Sequence, residues 1–66
     1  MNKAILDAQL AVVKQQEAFW FAQHRDAQSD RDLNDYGWMW AHYKELRQRL
    51  EGIIAIRAAA REEGGR

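Results

Sequence analysis

A chain of 66 residues with no cysteine excludes disulfide staples and thiolate metal centres, and two histidines are too few for a closed zinc site. Ten basic and ten acidic residues cancel to a net charge of zero, so the basic excess of a dedicated nucleic-acid binder is missing. A single core in so short a chain rarely supplies more than about 3–5 kcal/mol, which leaves association as the remaining stabilising device.

No proline interrupts the sequence, and its Ala, Gln, Arg, Leu and Glu content gives a strong summed helix propensity. Asn2 is placed to cap a first helix, predicted over about 3–28. The polar stretch Asp26-Ala27-Gln28-Ser29-Asp30-Arg31-Asp32 holds the one plausible turn, at about 28–31. Ser29 with Asp32 three residues later resembles a capping box in which Asp replaces Glu or Gln. A second helix is predicted over about 31–63, with Asp30, Asp32 and Asp35 near the positive end of its dipole. Gly64 suits the residue that ends it, and a frayed tail is expected at 64–66. Gly37 and Gly52 each cost about 1 kcal/mol against alanine inside a helix. A break at Gly37 would give a short extra helix, and either glycine would permit a close helix crossing. The expected fold class is all-α, a single antiparallel two-helix hairpin assembling into a four-helix-bundle homodimer or a higher oligomer.

Helix 2 carries a heptad stripe through Tyr36, Met39 and Trp40, Tyr43, Leu46, Leu50, Ile53 and Ile54, Arg57 and Ala60. In helix 1 the doublets Ile5-Leu6, Val12-Val13 and Phe19-Trp20 recur every seven residues, each followed by Gln9, Gln16 or Gln23. On a helical wheel these glutamines fall in the middle of the apolar face. They are read as a polar core layer whose amides bond across the helices and fix register, with a ligand groove as the competing reading. An antiparallel hairpin pairs residues whose numbers sum to about 60. The expected hairpin core is therefore Leu6, Val13, Phe19 and Trp20 against Met39, Trp40, Tyr43, Leu46, Leu50 and Ile53. Its aromatic residues gather toward the loop. Two rods cannot bury apolar residues on all their sides. Phe21, Trp38, His42 and Ile56 are expected on a second, exposed interaction surface.

Candidate chemistry is sparse. His42 and Glu45 form an H-x-x-E pair, and Glu17 and His24 lie seven apart, but a di-metal bundle needs more inward carboxylates than a dimer of this chain supplies. Ser29 is the only serine, no glycine-rich phosphate loop occurs, and the turn aspartates are accounted for by capping. The expectation is no enzyme, no cofactor, no metal and no catalytic residue. Lys44, Arg47, Arg49, Arg57 and Arg61 alternate with Glu45 and Glu51 and read as a solvated, ion-paired face.

No apolar run approaches the roughly 20 residues of a membrane span, and no secretory leader is recognised, so a cytoplasmic protein without membrane contact is expected. The preferred function is a small interaction protein, an adaptor, inhibitor or assembly subunit, that self-associates and presents an aromatic helical surface to a protein partner. One alternative is an RNA- or DNA-binding dimeric hairpin. In outline the chain is similar to the small plasmid copy-control RNA-binding hairpins, a likeness of architecture with no motif matching residue by residue. The other is a nucleotide-binding or nucleotide-sequestering oligomeric hairpin of phage type, with Gln16, Gln23, Arg47 and Arg57 lining a site between subunits.

Overall fold

A computed structural model describes residues 2–64. Two helices, α1 (Lys3–Arg25) and α2 (Asp30–Gly64), pack against each other as an antiparallel hairpin. Helix α2 runs without a break through Gly37 and Gly52.

Each helix start is fixed by one side chain. The Ile5 amide donates to Asn2 Oδ1 at 2.9 Å, which satisfies one of the orphan donors that open α1. The Asp32 amide donates to Ser29 Oγ at 3.1 Å, and the Leu33 amide donates to the Ser29 carbonyl at 2.9 Å. Ser29 is thus the N-cap of α2. That role accounts for the early end of α1, which stops at Arg25 rather than near residue 28. The cap residue and those before it must leave helical geometry to turn the chain. Asp26 does so at φ −95° and ψ 7°. The amides of Asp26 and Ala27 donate to the carbonyls of Ala22 and His24, closing the last turn tightly. Gly64 is the final residue of α2 rather than a residue beyond it, and the rest of the expected frayed tail lies outside the described residues.

The hairpin is a rod of 56 × 15 × 15 Å with a radius of gyration of 15.7 Å. A globular domain of this length has a radius of gyration of only about 11 Å. The shape leaves little interior, and Leu6 is the one large apolar residue that is buried among the described residues.

Half-buried residues trace the seam. On α1 it runs Leu6, Leu10, Val13, Glu17, Trp20, His24, in alternating steps of four and three. On α2 it runs Tyr36, Trp40, Tyr43, Arg47, Leu50, Ile54 in the same rhythm. The sequence reading is therefore rotated by about one residue on α1. Leu10, Glu17 and His24 occupy the column expected for Gln9, Gln16 and Gln23.

Candidate interaction surface

The seam is ordered by its polar members. Arg47, at a central core position of α2, donates from Nε to Glu17 at 2.5 Å and from Nη1 to Glu51 at 2.6 Å. The Glu17 side chain is 17% exposed and that of Arg47 27%, so the pair is partly shielded from water. The hydrogen bond to Glu17, then that to Glu51, raises the Arg47 pKa above its ordinary value. A carboxylate and a guanidinium facing each other across the seam can be satisfied in one register only, which makes the pair a register device.

Toward the loop the seam turns aromatic. Trp40 is its hub. His24 stacks on it at 6.1 Å and 24°, Phe21 leans on it at 5.6 Å, and Lys44 Nζ lies 5.2 Å from its ring centroid. Gly37 gives the imidazole its room, since a Cβ there would stand 3.1 Å from His24 Cδ2. Trp20 packs edge-on to Phe19 at 5.0 Å and against Tyr36 at 5.7 Å. Its buried Nε1–H has no acceptor. These contacts pair residues whose numbers sum to between 56 and 64.

The expected core residues separate into two groups. Leu6, Val13, Trp20, Trp40, Tyr43 and Leu50 stand in the seam, and Met39 and Leu46 are half-buried beside it. Phe19 and Ile53 are corrections, at 51% and 43% exposed. The glutamines are corrected as well. Gln9 is exposed, Gln16 and Gln23 are half-buried at the edge of the seam, and none of the three makes a cross-helix hydrogen bond among the described residues. The reason is the rotation of α1. Only one member of each apolar doublet enters the seam, and Ile5, Val12 and Phe19 are turned out with the glutamines between them.

Trp38 at 72% and Ile56 at 71% are the most exposed large apolar side chains among the described residues, and Phe21 is 45% exposed. His42 is exposed and meets Tyr43 edge-on at 5.2 Å. These four do not converge on one patch. Phe21 belongs to the Trp40 cluster, and Trp38 and Ile56 lie five turns apart along α2, roughly 27 Å.

Sequence reasoning missed a flat face beside the seam. Ile5, Val12 and Phe19, at 47%, 58% and 51% exposed, form a column on α1. Met39, Leu46 and Ile53 flank the seam on α2, and Ile56 stands further out, in a row with Asp35, His42 and Arg49. Ala8, Gln9, Val12, Val13, Leu46 and Leu50 line an apolar groove of about 490 Å³ between the two. The signal available in the sequence was the placement of charge. At 100° per residue, Lys3, Asp7, Lys14, Glu17 and Arg25 all fall within an arc of about 80° on the other side of α1. A second groove, of about 500 Å³, lies at the loop end between His24, Asp30, Leu33, Asn34, Gly37, Trp38 and Ala41.

Among the described residues no helix is long and apolar enough to cross a membrane, and no three His, Cys, Asp or Glu side chains group as a metal site. No protein-family model, curated protein or solved structure matches the chain.

Proposed function

We propose that the chain is a small, non-enzymatic interaction protein that acts through exposed helical surface and assembles with itself, in the simplest case as a homodimeric four-helix bundle. One observation carries this reading. The hairpin exposes 5250 Å². A compact monomer of 7.7 kDa is expected to expose about 4300 Å². The surplus of about 900 Å² matches the roughly 800 Å² per partner of a standard protein interface. It comes with large apolar side chains left in solvent and, among the described residues, a single buried one.

The polar groups support binding over chemistry. Ser29 Oγ is engaged in capping, and Glu17 is held by Arg47. Four of the ten cations, Arg25, Arg31, Arg47 and Lys44, already face Asp26, Asp35, Glu17 and the Trp40 ring, which gives a phosphate-binding surface less support. Arg47, which a nucleotide site between subunits would require, points into the seam. Trp38 is the residue most available to a different partner protein once two copies have paired.

Light scattering after size exclusion, with thermal melting followed across micromolar to millimolar chain concentrations, tests the self-association. A melting temperature that rises with concentration is expected. A stable monodisperse monomer with a concentration-independent melt would defeat it.

A further inference from the structure

The apolar side of the hairpin identifies the occupant it takes. We infer that the face carrying Ile5, Val12 and Phe19 on α1 and Leu46, Ile53 and Ile56 on α2 is the seat of a second copy of this chain. The inference rests on the self-association proposed above and names the surface that performs it.

Charge distribution favours this face. From Ile5 to Gln23, the side of α1 that points away from its charged arc holds only Ile, Ala, Val, Phe and Gln. Interface cores are depleted in charge and enriched in aromatic residues in the same way. The opposite side of the hairpin presents Asp7, Lys14, Lys44 and Glu51. On α2 the row of Ile56 also carries Asp35 and Arg49, single charges of opposite sign, so the face as a whole has no net charge by which to select a charged partner. A two-fold pairing also requires each patch to be its own complement. Glutamine amides meet that condition, since each offers both donors and an acceptor. Gln9, Gln16 and Gln23 make no cross-helix bond in the hairpin and stand beside the apolar column, free to bond across to the second copy.

Area points the same way. Val12 at 58% exposed, Phe19 at 51% and Ile56 at 71% are side chains that the seam does not shelter. They stand beside the 490 Å³ groove that Val12 and Leu46 line. Seating a second hairpin there turns a two-helix rod into a four-helix bundle with one shared core and covers the surplus surface in one step.

The test compares two neighbouring positions on α1 that point about 100° apart. Val12→Glu puts a carboxylate on the apolar face, and Ala11→Glu puts one on the exposed back of α1, away from both that face and the seam. Sedimentation equilibrium of the native chain is expected to return twice 7.7 kDa. Val12→Glu is expected to weaken pairing by more than about tenfold, with Ala11→Glu unchanged. Because Val12→Glu could also unfold the hairpin, a second measurement uses the absence of native cysteine. Gln9→Cys and Gln48→Cys are each labelled with acrylodan and titrated in concentration. A blue shift on association is expected at position 9 and not at 48. A native chain that associates while Ala11→Glu disrupts it, or a shift at 48 alone, overturns the assigned face and leaves self-association standing. A native chain that stays at 7.7 kDa throughout overturns both.

Discussion

The two glycines inside α2 should respond in opposite ways to the same substitution. Gly52→Ala adds a Cβ with nothing within 4 Å. It gains the helix propensity of alanine, about 1 kcal/mol, partly by restricting the unfolded chain. For a domain of this size that corresponds to a rise of about 4–8 °C in melting temperature. Gly37→Ala has the same intrinsic gain, but its Cβ would sit 3.1 Å from His24 Cδ2 and 3.3 Å from Nε2. Carbon atoms prefer about 3.5–4.0 Å, so the imidazole must move by several tenths of an ångström. It is not free to do so cheaply, because it stacks on Trp40, which also holds Phe21 and Lys44. Overpacking of this kind costs about 1–3 kcal/mol, which cancels or exceeds the propensity gain. Thermal and urea unfolding by circular dichroism, at one fixed chain concentration, should separate the two variants by about 1–3 kcal/mol in favour of Gly52→Ala. In a His24→Ala background Gly37→Ala should recover its gain. Equal stabilisation by both alanines would refute the close packing of Gly37 on His24.

Three further outcomes follow from the same structure. Ser29→Ala should lower stability by about 1 kcal/mol in urea unfolding, and Ser29→Asp should restore most of it, since a carboxylate also caps α2. Arg47→Leu leaves the Glu17 carboxylate facing the seam without its cation and should lower the melting temperature. The double variant Glu17→Leu/Arg47→Leu should recover much or all of the loss, because an apolar pair replaces a desolvated ionic one. Third, Arg25 holds the Asp26 carboxyl below the ordinary aspartate value, first by its hydrogen bond and then by its charge. A depressed folded pKa means that this contribution is present above the unfolded value of 3.8 and lost as pH falls through the lower folded value. Carboxyl chemical shifts followed with pH should show Asp26 titrating below 3.8, and Arg25→Gln should return it toward 3.8. Both partners are well exposed, so salt should shrink the shift.

Much of the hairpin was legible in local chemistry. Asn2 and Ser29 mark the helix starts because few side chains reach a backbone amide three residues ahead. The pairing of residues whose numbers sum to about 60 follows from a short connection. The rotation of α1 was not legible, for a reason in the residues themselves. Doublets such as Val12-Val13 place the centre of apolar mass between their two columns, which points Gln9, Gln16 and Gln23 inward. The alternative column, Leu10, Glu17 and His24, looks worse by hydrophobicity alone. It becomes favourable only with its partners in place: Arg47 for Glu17, and Trp40 with the space above Gly37 for His24. No single-helix pattern carries that information. The second surface was legible in part. Trp38 and Ile56 stand out because the seam period misses them, whereas Phe19 is hidden in a doublet whose other member, Trp20, enters the seam.

Solvent contact at the apolar face is the most direct reading of whether this hairpin lives alone. Methyl relaxation of Ile5, Val12, Ile53 and Ile56 by a soluble paramagnetic agent measures it residue by residue. Association through this face should shield all four progressively as chain concentration rises, while Ala55 on the opposite side stays accessible. Relaxation that follows the exposures of the lone hairpin, with Val12 at 58% and Ile56 at 71%, at every concentration would contradict it.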